Sequence, residues 1–127
     1  MIELPTEDEI IQLNKEILKT IKVKKADKHK VVNGAAIIQA IESARNNLGD
    51  LYDKATLLLI NLVQGHPFDS GNRRTAFAAA MTFLRLNGEH PKVLHDAKVL
   101  LGIREGFYTN GEVKKWLKGH DIRTFNR

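Results

Sequence analysis

A chain of 127 residues, 43% apolar and 28% charged, is long enough for one hydrophobic core and too ordinary in composition for a disordered or fibrous protein. It has no cysteine, which excludes disulfides and thiolate metal sites and fits a reducing compartment. Its net charge of +5 favours an anionic partner (nucleic acid, nucleotide or acidic protein), although a solvated basic surface gives the same excess.

The first residues, MIELPTEDEI, lack the basic start and apolar stretch of a signal peptide. The longest apolar run, residues 57–63, is interrupted by Asn61 and is far too short to cross a bilayer. A cytoplasmic protein with no membrane partner is expected.

Along the chain, Thr6 and Glu9 form a capping-box pattern, after which Ile10, Leu13, Ile17 and Ile21 recur at helical spacing. A second helix is expected after Asn33, with Ile37, Ile41, Ala44 and Leu48 on one face and Gly49 as its stop. A third, over residues 53–64, is apolar nearly all round, as a central buried helix would be, and Gly65 is its expected terminator. The fourth begins near Asn72, carries Ala76, Phe77, Ala80, Met81, Phe83 and Leu84, and ends at Asn87-Gly88. A shorter fifth follows Asp96 with Val99, Leu100 and Ile103; the last starts at Thr109-Asn110, repeats the capping-box spacing with Glu112, and uses Val113, Trp116 and Leu117 before Gly119. No segment alternates with period two, so the expectation is an all-α bundle of about six helices in a single domain, residues 1–127. The exception is residues 22–32, rich in lysine with Val23, Val31 and Val32 at the ends, which suits either a loop or a small hairpin.

Between the third and fourth helices lies His66-Pro67-Phe68-Asp69-Ser70-Gly71-Asn72-Arg73-Arg74. A helix N-terminus presents unpaired N–H groups and partial positive charge, which suit a phosphate. Two arginines there are disfavoured unless an anion comes between them, and such local conflict is what functional sites tend to carry. Asp69 is a hard oxygen donor suited to Mg²⁺ bridging phosphates. Arg73 and Arg74 offer forked donors to phosphoryl oxygens. His66 can accept a proton near neutral pH, as a general base for an attacking hydroxyl. Gly71 admits a backbone conformation other residues resist, and Phe68 reads as the loop's anchor in the core. Taken singly, each has a structural reading: a histidine at a helix end, an aspartate cap, surface arginines.

Together, HPFDSGNRRTA resembles the signature of the Fic/Doc family, H-x-F-x-[D/E/N]-[A/G]-N-x-R. It is most similar to the Doc (death-on-curing) toxin branch, which reads N-K-R-T-A where this chain has Asn72-Arg73-Arg74-Thr75-Ala76. The helix before the motif, the helix after it ending LRLNG, and the final helix also fall where small Doc-like proteins have theirs.

The resemblance implies the all-α Fic/Doc fold, with ATP as substrate and Mg²⁺ as cofactor. It implies His66 as catalytic base, Asp69 as the Mg²⁺ ligand, Gly71, Asn72, Arg73 and Arg74 as nucleotide and phosphate binders, and Phe68 as loop anchor. Lys22, Val23, Lys24, Lys25, Lys28, Lys30 and Val31 would belong to a flap that aligns a protein target. Nucleotidyl-transferring members have glycine at the position of Arg73 and a further arginine at that of Phe77. Both departures match the Doc branch, where a lysine at the first position accompanies transfer of the γ-phosphate to a Ser or Thr hydroxyl of a protein, a translation factor being one such target. No [S/T]-x-x-x-E-[G/N] inhibitory motif occurs, so control by a small antitoxin is implied.

Three alternatives remain at this level. AMP transfer to a protein hydroxyl uses the same motif. An inactive or nucleic-acid-binding module would draw on Lys114, Lys115, Lys118, Arg123 and Arg127, but nothing resembles a recognition helix and aromatic residues are only 6%, which speaks against nucleic acid. A zinc hydrolase built from His66, His90 and His95 lacks the helical H-x-x-x-H spacing that would fix ligands on one face.

Overall fold

A computed structural model describes residues 1–20 and 29–126. Its helices are α1 (Glu7–Thr20), α2 (Gly34–Asn46), α3 (Leu51–Gly65), α4 (Asn72–Leu86), α5 (Ala97–Arg104) and α6 (Asn110–Leu117). Local chemistry sets most of the boundaries. At the start of α1 the Glu9 amide donates to Thr6 Oγ1 at 3.1 Å and the Thr6 amide to Glu9 Oε1 at 2.8 Å, the reciprocal pair the spacing predicts. Thr109 and Glu112 repeat it at α6, at 3.1 and 2.9 Å, and Asp96 caps α5.

The third helix is the hub. α3 packs against α2, α4, α5 and α6, while α1 lies across α4 and α2. Ala55, Leu58, Leu59, Leu62 and Val63 of α3 are buried with Ile37, Ala40 and Ile41 of α2, Phe83 and Leu84 of α4, and Leu100, Ile103, Val113 and Leu117 beyond. Burial of this apolar surface is the main stabilising term, at about 25 cal/mol per Å² removed from water.

Three expectations need correction. Leu48 does not join the buried face of α2: the helix ends at Asn46, Asn47 turns extended, and Leu48 is fully exposed. The side chain of buried Lys54 reaches back to the carbonyls of Ala44, Arg45 and Asn47, satisfying the α2 C-terminus with a cation where the dipole favours one. α3 starts at Leu51 rather than near residue 53, because Asp50 and Asp53 cap each other's amides, each bond 2.9 Å. Gly65 is not the left-handed terminator of α3. It is the last helical residue, and a Cβ there would lie 2.8 Å from the Cβ of Ala36, so glycine serves the close approach of α2 and α3. The left-handed position falls to His66.

Among the described residues there is no strand, only an antiparallel bridge between Val31 and Phe68. Ile21, Lys22, Val23, Lys24, Lys25, Lys28 and Arg127 lie outside the described residues. The fold is the expected all-α arrangement, and no helix among the described residues is long and apolar enough to cross a membrane.

Candidate functional site

The loop between α3 and α4 is fixed from three sides. Phe68 plugs it into the core, fully buried, with the His29 ring 5.9 Å away. Backbone bonds tie it to residues 30–33: the Val32 and Asn33 amides donate to Pro67 O at 2.8 and 3.1 Å, and the Asp69 amide donates to Lys30 O at 2.9 Å. Lys30 and Val31, the described part of the expected flap, thus lie directly against the motif. Asn72 closes the loop internally: its Oδ1 accepts from the Phe68 amide at 2.9 Å and its Nδ2 donates to Phe68 O at 2.8 Å. The same Nδ2 lies 3.1 Å from His66 Nδ1.

The third support comes from α1 and has no signal in the motif. Asn14 is completely buried. Its Nδ2 donates to Ser70 O at 2.9 Å and to Thr75 Oγ1 at 3.1 Å, while its Oδ1 pairs with His29 Nδ1 at 2.8 Å. One side chain therefore joins α1, the end of the lysine-rich segment, the loop and α4. Its neighbourhood also explains Gly71, whose φ of 77° suits glycine; a Cβ there would lie 3.2 Å from both Asn14 Nδ2 and Leu18 Cδ2. Burial, with the Lys15 charge added, holds the His29 imidazole below its ordinary pKa.

His66 takes φ 49° and ψ 57°, the single positive-φ non-glycine residue among those described. That costs an L-residue about 1–2 kcal/mol. It throws the imidazole out of α3 into a cavity of about 330 Å³. Asp69, Ser70, Gly71, Arg73 and Arg74 line the same cavity, and Leu18, Val63, Ala97 and Leu100 give it apolar walls. The α4 N-terminus facing it has no side-chain cap and no acidic residue in its first turn. Among the described residues, no salt bridge engages Arg73 or Arg74. Unpaired amide dipoles and two forked cations around one cavity are the groups that an anion site requires.

The sequence-predicted residues His66, Asp69, Gly71, Asn72, Arg73 and Arg74 all come together here. His95 and Arg104 join them from the α5 side, where sequence reasoning assigned no phosphate role. His90 does not line the cavity, and among the described residues no group of three or more His, Cys, Asp or Glu side chains is placed to hold a metal. The zinc alternative therefore has no ligand set there.

Residues 4–84 match the Fic/DOC family. The chain belongs to that family. A 38-residue stretch is 55% identical to Toxin Doc of Mycolicibacterium smegmatis, covering 30% of this chain and 29% of that protein.

Set residue by residue on the Fic/Doc pattern, this member departs at one position. The acidic place falls on Ser70, and Asp69 occupies the free position before it. Mg²⁺ between phosphates needs as little as one protein carboxylate, the remaining ligands being phosphate oxygens and water. Asp69, exposed on the cavity wall, fits that minimal requirement; the donor set does not fit an ion held by protein alone.

Proposed function

We propose that this protein is a Doc-like phosphotransferase, moving the γ-phosphate of ATP to a Ser or Thr hydroxyl of a protein target. The observation that carries the reading is the uncapped α4 N-terminus with Arg73 and Arg74, facing a cavity that also holds His66. Arg73 favours this over AMP transfer, because a long planar cation fills the space a glycine would leave for a pyrophosphate.

In the transfer, the hydroxyl oxygen bonds to the γ-phosphorus, the bond from that phosphorus to the β–γ bridging oxygen breaks, and ADP leaves. His66 takes the hydroxyl proton. The ring is exposed on the cavity, with Asn72 Nδ2 3.1 Å from its Nδ1. General-base action of this kind is worth about 10²–10⁴ in rate. Arg73, Arg74 and the backbone amides at Gly71 hold the phosphoryl oxygens, and charge developing there meets fixed donors in place of mobile water. Asp69 would hold Mg²⁺, which neutralises phosphate charge when bound.

The target segment lies against Lys30 and Val31 in this reading, and its hydroxyl enters beside His66. A small antitoxin is the partner the Doc likeness suggests, residues 1–127 act as one domain, and the work is done in the cytoplasm. Incubation with Mg²⁺ and ATP labelled at either α or γ, in cytosolic extract, tests the chemistry. Protein-bound label from γ alone, lost in His66→Ala, is expected; label from α identifies AMP transfer instead.

A further inference from the structure

Three cationic side chains reach the cavity from α4 and α5, yet the family match ends at residue 84, before α5 begins. His95 lies just ahead of α5 and Arg104 at its last turn, and both line the cavity that the α4 N-terminus faces. Each is held in place. Phe77 of α4, itself packed on Trp116 at 5.7 Å, meets the His95 ring edge-on at 5.5 Å. Near the end of α3, Gln64 Nε2 donates to Ile103 O at 2.9 Å, which fixes the backbone that carries Arg104. Among the described residues no salt bridge engages Arg104, so its five donors are uncommitted to a carboxylate there.

We infer that His95 and Arg104 form a second anion-binding arm, which grips a polyphosphate chain from the α5 side. The inference rests on the nucleotide reading above and extends it: the ligand is a nucleoside triphosphate bridging two helices, not a single phosphate seated at one. Like charges explain why the arm needs such a ligand. Arg73, Arg74 and Arg104 face one cavity with Asp69 as its lone lining carboxylate among the described residues. A chain of phosphates between α4 and α5 converts that repulsion into attraction on both sides, whereas a single phosphate at α4 leaves Arg104 unmatched. The His95 ring records the same field. Burial, then the charge of Arg74 and more weakly Arg73, depress its pKa, with Asp96 opposing. Bound polyphosphate reverses the sign of that field and favours the imidazolium, so His95 becomes a donor when the ligand arrives. Leu18, Val63, Ala97 and Leu100 give the same cavity apolar walls.

Titration of the full chain with ATP at about 0.15 M salt, by calorimetry, is the test, using His95→Ala, Arg104→Ala, Arg104→Lys and, as a control, Arg85→Ala. Arg85 is exposed in the last turn of α4, away from the cavity lining, so it reports the effect of net charge alone. His95 and Arg104 are exposed as well, so the variants should keep the parent melting temperature. Arg104→Ala should weaken ATP binding about tenfold and Arg104→Lys less, because one point charge replaces a fork. His95→Ala should weaken it about threefold at neutral pH and Arg85→Ala by less than about twofold. ATP affinity unchanged in Arg104→Ala, or lowered equally by Arg85→Ala, overturns the arm while leaving the nucleotide reading intact. If the parent chain binds no ATP, the nucleotide reading fails and the arm fails with it.

Discussion

The N-termini of α4 and α6 obey opposite rules. At α6 every feature closes the helix end: Thr109 and Glu112 cap each other, Glu112 also holds Arg123, and Lys114 reaches Asp50 and Asp53 at 3.2 and 2.9 Å. The Arg123 guanidinium then lies 4.1 Å above the Phe107 ring and donates to Phe107 O, sealing the tail onto the bundle. At α4 the cap is a glycine without a side chain, the first turn carries two arginines in place of an acid, and the first residue of the loop is left-handed. One end is built to hold the protein together. The other is held together by its neighbours so that its own groups face a cavity. A helix terminus that stays open amid so much local closure elsewhere points to a purpose in the loop, independent of any motif.

The contrast is sharpest where support for the open end is removed. Asn14→Leu takes away the donor to Ser70 O and Thr75 Oγ1 and the partner of His29, leaving buried polar groups unpaired. It should cost about 3 kcal/mol in urea unfolding, and a loss below about 1 kcal/mol would mean the loop holds itself. Next comes the ligand. ATP at about a hundred times its dissociation constant should stabilise the parent by about 2.7 kcal/mol, seen as a rise in melting temperature. Arg74→Ala should abolish that rise and Lys114→Ala should keep it; equal behaviour of the two would erase the distinction between the ends. At α6, Thr109→Ala should lower stability by about 1 kcal/mol with ATP binding untouched, the ordinary cost of losing an N-cap.

The smallest effect is an acid titration. Glu112, hydrogen-bonded by Arg123 and by the Thr109 amide, has its pKa lowered from 4.5 to about 2. A depressed carboxylate pKa means the stabilising contribution is complete above the unfolded value and fades as pH falls through the folded one. Stability attributable to this contact should therefore decline between about pH 4.5 and pH 2, and Arg123→Ala should flatten the decline. Solvent exposure keeps the amplitude small.

Most of the fold was legible because it is local. Capping residues at Thr6, Asp96 and Thr109 and the 3.6-residue stripes placed six helices with few errors, and the nine-residue loop stood out by its residue types. What stayed hidden depends on contacts between segments far apart in sequence. Leu48 fitted the α2 stripe by spacing, but Asn47 and Lys54 end that helix sooner. Gly65 looked like a terminator, though what it answers to is Ala36, on the neighbouring helix. Asn14 interrupts no pattern strongly enough to attract notice, because a polar residue within an amphipathic helix is ordinary until its burial is known. His95 and Arg104 stand in no motif, and only the packing of α5 on α3 brings them to the cavity. The buried underside of Asn72 was equally invisible: the motif suggests a ligand contact, whereas its amide is spent largely on Phe68.

The left-handed backbone at His66 also bears on how such a sequence ages. Every other positive-φ position among the described residues is glycine, and His66→Gly would relieve about 1 kcal/mol of strain. In a lineage where the imidazole no longer mattered, that substitution would be close to neutral, since glycine's greater freedom in the unfolded chain offsets the relieved strain, whereas losing Phe68 or Asn14 would strip the loop of its support. Substitution would then begin at His66, exposed on the cavity, and leave the scaffold standing. A descendant that has lost the imidazole to glycine, with intact arginines and undiminished thermal stability, is the fossil this architecture would leave behind.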